Sequence, residues 1–267
     1  MFYHNINPVL FEIFGFEIRY YGLFYIIGLV IAYFFLIYLV NQRNISINKN
    51  EISDYLTWLI LGILIGARLF YVFVYNLWFY IANPFEAIAI WNGGLSFHGG
   101  LIGAIISAFV FWGKKWKGKI SFLELADISV MPLAIALALG RVGNFINGEL
   151  YGRLTDIWWA VKFQAVDGFR HPSQIYESAK NIIIFFILFA LNQKQRAKLK
   201  KGTIFSLFIA MYALFRFFIE FYREPDEQLG FILFGLTMGQ LLSILMFLFG
   251  IGLLWWVRKK SKVKVNA

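Results

Sequence analysis

The chain has 267 residues, of which 60% are hydrophobic, 20% aromatic and only 15% charged. A soluble domain of this length has a larger charged share, so the composition excludes an ordinary soluble protein and predicts that the apolar runs lie in lipid. The formal net charge is +10, and the chain has no cysteine, which excludes a disulfide, a thiolate metal site and a thiol nucleophile of its own.

Apolar runs of about 20 residues predict seven membrane-spanning helices. In chain order, they lie at residues 20–40, 55–75, 94–112, 122–140, 174–191, 203–221 and 235–257. Glu177 and Lys180 near the start of the fifth run weaken that prediction. The expected fold is an all-α membrane protein formed by one membrane-embedded domain, residues 1–267. No cleaved signal peptide is expected at the N-terminus.

The connections between these runs differ in positive charge. Segments 41–54, 113–121, 192–202 and 258–267 hold 16 Lys and Arg residues, and the alternating segments 1–19, 76–93, 141–173 and 222–234 hold 6. The positive-inside rule then predicts an outward N-terminus and a cytoplasmic C-terminus. Because topology accounts for the basic excess, no nucleic-acid partner is expected.

Residues 141–173 form an outward connection unlike the others, between the fourth and fifth predicted spans. The segment is too polar to span a membrane and too long for a simple turn, and it contains Trp158, Trp159 and Phe163. We expect a small ordered head on the outer membrane surface.

A Gly-xxx-Gly pair, Gly62 and Gly66, lies in the second predicted span. Such pairs let two helices approach closely, so this pair predicts a packing contact rather than a functional site.

A histidine flanked by glycines opens the third predicted span, in the run Gly93-Gly94-Leu95-Ser96-Phe97-His98-Gly99-Gly100. Polar side chains inside a span are costly and are functional candidates for that reason. Histidine side chains can take or relay a proton, so His98 is a candidate for such a role, and the glycines would let a lipid headgroup approach. The alternative is a histidine that only packs between helices.

The densest polar stretch, Gly140–Arg153, begins at the outward end of the fourth span. It has two Arg, two Asn, one Glu and four Gly residues. The planar guanidinium of Arg141 or Arg153 could bind a phosphate through two hydrogen bonds. The alternative is a capped helix end with arginines that extend to the interface.

Arg216 and Glu220 lie four residues apart at the outward end of the sixth span, so they can pair on one helical face. The pair could hold helices together, or Glu220 could orient Arg216 toward a phosphate.

Tyr21 at the start of the first span is a weaker candidate, because interfacial tyrosines are common. The run His171-Pro172-Ser173-Gln174 is typical of a turn that leads into the fifth span.

The candidates share the outward side of their spans: Tyr21, His98, Arg141, Asn144, Glu149 and Arg216. Several arginines, with no zinc-like spacing of His and carboxylate residues, predict a phospholipid headgroup pocket without a metal. A transporter would also need polar groups in the inward halves of its spans, where we take Arg68 to be the main exception. A purely structural scaffold would not need polar residues clustered on one side.

These motifs resemble, in the same order, those of the prolipoprotein diacylglyceryl transferases. The matching runs are Tyr21-Gly22, Leu95–Leu101, Gly140–Gly152, His171–Gln174 and Arg216 with Glu220. The resemblance covers about residues 15–257, and the Gly140–Gly152 motif is its most specific part. Tyr20 and Tyr151 depart from it mildly, because they stand where Trp is common in the family.

The resemblance implies a seven-span catalytic domain in the bacterial inner membrane, with its active site toward the outer side. Such an enzyme transfers the diacylglyceryl group of phosphatidylglycerol to the lipobox cysteine of a prolipoprotein signal peptide. It releases glycerol phosphate in the first step of lipoprotein maturation, and it needs no cofactor. Its partners are therefore this donor, the prolipoprotein and the membrane lipids.

The resemblance also assigns roles to residues. His98 would take the proton of the substrate thiol, and Arg141 and Arg216 would hold the phosphate. Tyr21 would line the donor pocket, and Glu149 would orient an arginine. The substrate-binding set would be completed by Asn144, Gly152 and Glu220, with Asn144 on the headgroup or holding the motif's turn and Gly152 leaving room for a backbone bend.

Overall fold

The protein is described here from a computed structural model, which covers residues 1–195, 198–225, 230–233 and 235–259. Its helices are α1 Tyr20–Gln42, α2 Lys49–Phe70, α3 Leu77–Ala82, α4 Phe97–Phe111, α5 Phe122–Ile146, α6 Ser173–Gln195, α7 Thr203–Ile219 and α8 Met238–Lys259. Single π-helical segments, Tyr71–Tyr75 and Trp112–Trp116, extend α2 and α4. Six of these helices are long and apolar enough to cross a membrane, and α7 is a shorter apolar helix. The chain is a multi-pass, all-α membrane protein with about seven spans, as predicted.

Four observed helices, α1, α2, α5 and α6, are longer than the predicted spans, because polar residues continue the helices past the apolar runs, and the extension is largest at the start of α2 and the end of α5. Helix α2 begins at Lys49, where Asn48 forms a capping box with Glu51. Helix α5 continues to Ile146, so the first residues of the predicted head belong to this helix.

Within the part of the chain that the structure describes, short strands, which the apolar pattern did not predict, form three two-stranded sheets. They are β1 Phe2–Tyr3 with β4 Val161–Lys162 in parallel, the hairpin β2 Val9–Ile13 with β3 Phe16–Arg19, and β5 Phe231–Leu233 with β6 Leu236–Thr237. The first sheet joins the N-terminus to the head segment, with Phe2 opposite Val161.

The chain divides into two compact units. One comprises Met1–Phe35 with Leu123–Ala267, and the other comprises Leu36–Phe122.

In the unit Leu36–Phe122, helices α2 and α4 pack through glycines. A Cβ atom on Gly66 would overlap the carbonyl oxygen of Gly99, and one on Gly103 would overlap that of Gly62. The predicted packing role of Gly62 and Gly66 is confirmed, and the glycine after His98 takes part in the same helix contact.

Arg68, in the last turn of α2, binds the connection between α2 and α4. Its guanidinium is buried and donates hydrogen bonds to five backbone carbonyls, those of Glu86, Ala87, Ala89, Gly93 and Gly94. Gly93 and Gly94 have φ values of +83° and +75°, which glycine adopts without strain. The assignment of Arg68 to an inward half was wrong, because the residue lies beside the connection that the charge pattern places outward.

In the other unit, Asp127 of α5 caps the start of α7. Its buried carboxylate accepts hydrogen bonds from the backbone N–H groups of Gly202 and Phe205, both at 2.7 Å. Negative charge stabilises a helix N-terminus, so this carboxylate has a structural role. Helix α8 then packs closely on α7, where Gly250 faces Ala210.

The head segment after α5 is ordered by contacts within itself and with two other parts of its unit, the N-terminus and α5. Phe163 is buried against His4 and Phe145, and Gly152 donates its N–H to the carbonyl of His171. Trp158 contacts Trp159, while Phe163 packs elsewhere, so the three aromatic residues do not form one cluster.

Candidate active site

Five charged side chains from α5, α6 and the C-terminal end of α7 meet in one cluster. Glu177 of α6 contacts three cations through its two carboxylate oxygens: Oε2 lies 2.6 Å from Lys180 Nζ and 3.9 Å from Arg141 Nε, and Oε1 lies 3.2 Å from Arg216 Nη1. Arg216 Nη1 also forms an ion pair with Glu220 Oε2, as the spacing of these residues predicted. The two arginines therefore share one carboxylate.

Burial differs across this cluster in a way that matters for binding. The Glu177 side chain is 3% exposed, whereas the Arg141 and Arg216 side chains retain 23% and 14% of their exposure. Within the described residues, Nη2 has no hydrogen-bond partner in either arginine. The carboxylate is thus buried, whereas the two guanidinium groups stay partly exposed and can still bind an anion.

The polar motif at the end of α5 connects Arg141 to Glu149 through an asparagine. Arg141 Nη1 donates to Asn144 Oδ1 at 3.4 Å, and Asn144 Nδ2 donates to Glu149 Oε1 at 2.7 Å. Asn147 donates to the same oxygen at 3.2 Å. Glu149, which was expected to orient an arginine, reaches Arg141 through the Asn144 amide.

The turn that positions Glu149 is fixed from the start of α6. Gly148 and Leu150 have φ values of +69° and +58°, so the chain reverses sharply here. Gln174 donates to the Glu149 carbonyl at 2.6 Å, and Ser173 donates to the Leu150 carbonyl at 2.8 Å. The run His171–Gln174 is a turn into α6, as predicted, and it also holds the polar motif in place.

His171 within this turn has a packing role. Its Nδ1 lies 3.1 Å from the Tyr176 hydroxyl, and its ring packs against Tyr222. Burial lowers the pKa of the imidazole, because the charged form is poorly solvated there.

Tyr21 lies in the first turn of α1, against the same end of α5. A Cβ atom on Gly143 would come within 2.7 Å of the Tyr21 ring, so the glycine makes room for it. The hydroxyl groups of Tyr21 and Tyr25 are 2.8 Å apart.

Gly152 lies in the framework of the head. A Cβ atom there would meet the Tyr222 carbonyl and would lie 2.7 Å from both Cβ and the carbonyl of His171. The space beside this glycine is therefore occupied by neighbouring residues, so a side chain would not fit here without a shift of the backbone.

His98 belongs to the other unit, in the first turn of α4. Its side chain is exposed, and within the described residues its only specific contact is with the Phe97 ring. The glycines around it serve the α2–α4 contact and the Arg68-bound connection rather than opening space at the imidazole. An exposed imidazole can still exchange a proton.

Comparison with known proteins identifies the relationship. The model of the family described as prolipoprotein diacylglyceryl transferase matches residues 8–256. Similar proteins named phosphatidylglycerol–prolipoprotein diacylglyceryl transferase include those of Geobacter sulfurreducens, 42% identical over 94% of this chain and 95% of the relative, and of Rickettsia canadensis, 43% identical over 95% and 98%. The protein of Pseudomonas fluorescens is 43% identical over 99% of this chain and 98% of the relative.

The chain belongs to the prolipoprotein diacylglyceryl transferase family. The structure places Arg141, Asn144, Glu149, Arg216 and Glu220 within one unit of this transferase, linked by ion pairs and hydrogen bonds.

Two central residues of the transferase cluster, Glu177 and Lys180, were missed as site residues. A signal was present in the sequence, because two opposite charges three residues apart inside an apolar span are costly unless they are paired. Thr237 was also missed: its hydroxyl donates to Glu220 Oε1 at 2.9 Å. A threonine just before an apolar helix gives no comparable signal.

Proposed function

We propose that this transferase moves the diacylglyceryl group of phosphatidylglycerol to the thiol of a lipobox cysteine in a prolipoprotein. The product is a thioether, glycerol phosphate is released, and the reaction is the first step of bacterial lipoprotein maturation. Family membership and the names of the relatives support the reaction. The observation that carries the assignment to a site is that Arg141 and Arg216 share the buried Glu177 carboxylate and keep part of each guanidinium free.

The chemistry follows from the groups available. The nucleophile is the substrate thiol, since this chain has no cysteine. Its sulfur attacks the glyceryl carbon that bears the phosphate oxygen, the C–O bond breaks, and the bonding electron pair leaves with the phosphate. Arg141 and Arg216 bind that phosphate and stabilise the charge that develops on it.

A base must receive the thiol proton, because a free thiol has a pKa of about 8.5 and is mostly protonated at neutral pH. We assign this role to His98. Its ring is exposed and makes no polar contact within the described residues, which supports it as a candidate. The competing assignment is that the field of the two arginines alone lowers the pKa of the thiol.

The remaining residues have supporting roles in this proposal. Glu149 and Asn144 hold the turn and keep Arg141 oriented, which their hydrogen bonds support. Glu220 orients Arg216, and Tyr21 lines the donor pocket. Gly152 contributes to substrate binding by keeping the neighbouring backbone in place rather than by contact.

We also propose that the enzyme lies in the bacterial inner membrane with its N-terminus outside, its C-terminus in the cytoplasm and its active site toward the outer side. The uneven distribution of Lys and Arg supports this orientation. Part of the basic C-terminal segment, residues 260–267, lies outside the described residues.

The reaction can be tested with purified protein, phosphatidylglycerol in mixed micelles and a synthetic lipobox peptide. Mass spectrometry should show a diacylglyceryl adduct on the cysteine peptide that resists hydroxylamine, as a thioether does. A matched peptide with serine in place of cysteine should remain unmodified. Absence of an adduct on the cysteine peptide would overturn the proposal.

A further inference from the structure

We propose that Glu177 is a positioning residue of this enzyme, which sets the spacing of the two arginines that bind the donor phosphate. This inference rests on the proposed function and adds a residue to it. Glu177 touches the arginines rather than the reacting atoms, so its effect on the reaction passes through Arg141 and Arg216.

The geometry makes Glu177 the only link between the two arginines among the described residues. Arg141 comes from α5 and Arg216 from α7, and each contacts a different oxygen of the α6 carboxylate, at 3.9 and 3.2 Å. Two guanidinium groups in a poorly solvated site repel each other, and a carboxylate between them offsets that repulsion. Without its charge, the arginines would separate or turn toward other acceptors.

Lys180 completes this arrangement from the same helix. Its ammonium lies 2.6 Å from Glu177 Oε2 and 3.7 Å from the centre of the Tyr212 ring. Lys180 therefore competes for one oxygen of the Glu177 carboxylate. This competition prevents Glu177 from pairing with one arginine alone. The five ion-paired side chains, three cations and two carboxylates, have a formal charge of +1, which complements the single negative charge of a phosphodiester.

A purely structural carboxylate looks different in this molecule. Asp127 is buried to the same degree, yet it accepts backbone N–H groups at the start of α7. The partners of Glu177 are instead side-chain cations, namely Lys180 and the two partly accessible guanidinium groups. Asp127→Asn is therefore a matched control for the loss of a buried negative charge in the same unit.

The test measures steady-state transfer by the full-length enzyme and by Glu177→Gln, Glu177→Asp and Asp127→Asn. The KM for phosphatidylglycerol and inhibition by the product glycerol phosphate report on phosphate binding, and the KM for the lipobox peptide serves as an internal reference. Glu177→Gln should lower kcat/KM for phosphatidylglycerol by at least about 30-fold and weaken glycerol phosphate inhibition, since breaking one partner of a buried charge pair has an effect of this size. Its KM for the peptide should stay within about threefold of the wild-type value.

Glu177→Asp keeps the charge but shortens the side chain, so it should recover part of the loss. Asp127→Asn should lower the melting temperature and leave phosphate binding unchanged.

An inactive wild-type enzyme would contradict the proposed function itself. An active wild type with unchanged donor KM and product inhibition in Glu177→Gln would overturn the positioning role, and so would a purely thermal defect like that of Asp127→Asn. If Glu177→Gln is not recovered folded, unchanged phosphate binding in Glu177→Asp decides against the role.

We also propose, from a different part of the molecule, that the β2–β3 hairpin anchors the enzyme to the lipid surface beside α1. Both faces of the hairpin are exposed, although it carries Phe11, Ile13, Phe14 and Phe16. Phe14 at the tip is 98% exposed. An isolated two-stranded hairpin is barely stable in water, and exposed aromatic side chains make it less so.

The position of the hairpin indicates that lipid covers it. Strand β3 ends at Arg19 and the span α1 begins at Tyr20 without a linker, and the Tyr20 N–H donates to the Pro8 carbonyl at 3.1 Å. The base of the hairpin therefore lies at the end of a span, at headgroup depth. Open sheet edges do not occur within hydrocarbon, so the strands stay in the headgroup region and only the tip side chains reach the acyl chains.

The absence of native cysteine makes a single-site label possible. Phe14→Cys carrying an environment-sensitive fluorophore should show a blue-shifted emission in phosphatidylcholine–phosphatidylglycerol vesicles and be quenched by a shallow spin-labelled lipid. The exposed head position Asp167→Cys is the control and should show neither effect. A water-exposed signal at position 14, or quenching that appears only when a lipobox peptide is added, would overturn the lipid assignment.

Discussion

Arg141 combines two contacts and one unoccupied edge, which together suit a phosphate-binding role. Its Nε lies near Glu177, its Nη1 donates to Asn144, and its Nη2 has no partner within the described residues. The protein thus fixes the plane of the guanidinium and leaves one edge for a ligand.

Replacing Arg141 tests that contact. Arg141→Ala should lower the transfer rate tens- to hundreds-fold, because a bidentate charged contact contributes on the order of 2–4 kcal/mol. Arg141→Lys keeps the charge and loses the planar fork, so it should recover only part of the rate. Steady-state transfer to the lipobox peptide measures both, and wild-type turnover by Arg141→Ala would refute the assignment.

His98 gives a second prediction, on the proton of the thiol. His98→Gln should lose about 10²–10⁴-fold in rate, the usual contribution of a general base. The loss should shrink as the pH rises through the pKa of the thiol, about 8.5, because the thiolate then forms unaided. A pH–rate profile parallel to that of the wild type and displaced by less than tenfold would leave the arginines as the activating groups.

The residues of the site were predictable from sequence to different degrees. Arg141, Asn144 and Glu149 lie in one short stretch, so their proximity follows from local sequence. Glu177 meets Arg141 and Arg216 across 36 and 39 residues, and no periodicity within one helix shows which distant side chains it faces. Its charge inside an apolar run was visible, but its partners were not.

At the level of helices, the contact between α2 and α4 depends on the absence of side chains. A Cβ atom added to Gly103 would overlap the Gly62 carbonyl. A Cβ atom added to Gly113, which is also helical, would have no neighbouring atom within 4 Å. Both glycines would gain helix propensity from alanine, by about 1 kcal/mol.

Gly103→Ala should therefore destabilise the protein and Gly113→Ala should not. The added methyl group forces the helices apart, with an expected cost of about 1–3 kcal/mol. Heating the detergent-solubilised proteins and following the monodisperse fraction by fluorescence-detected gel filtration compares them. Equal melting temperatures for the two variants would contradict the close packing.

Helices and strands also differ in how well the sequence predicted them. The seven apolar helices follow from run length alone, since a bilayer fixes the length of a span. The capped start of α2 and the polar end of α5 extend beyond the apolar runs, so the spans predicted from hydropathy leave out these helix ends. Strand β4 has two residues and pairs with the distant N-terminus, which leaves no local pattern to detect.

At the scale of the whole molecule, the orientation in the membrane is a prediction from charge. In intact cells, a single cysteine near Lys117 should be shielded from an impermeant reagent, and one at Asp167 in the head should be labelled. Asp226, another outward position by charge, lies outside the described residues. The reverse labelling pattern would place the head and the arginine cluster on the cytoplasmic side.

The central claim is that one enzyme couples thioether formation to departure of the donor phosphate at the arginine cluster. The most direct measurement is the stoichiometry of the two products from phosphatidylglycerol labelled in its headgroup glycerol. Wild-type enzyme should release one glycerol phosphate for each diacylglyceryl peptide formed, and both yields should fall together in Arg216→Ala. Adduct formation without glycerol phosphate, or release of glycerol phosphate that does not depend on the peptide thiol, would contradict the account.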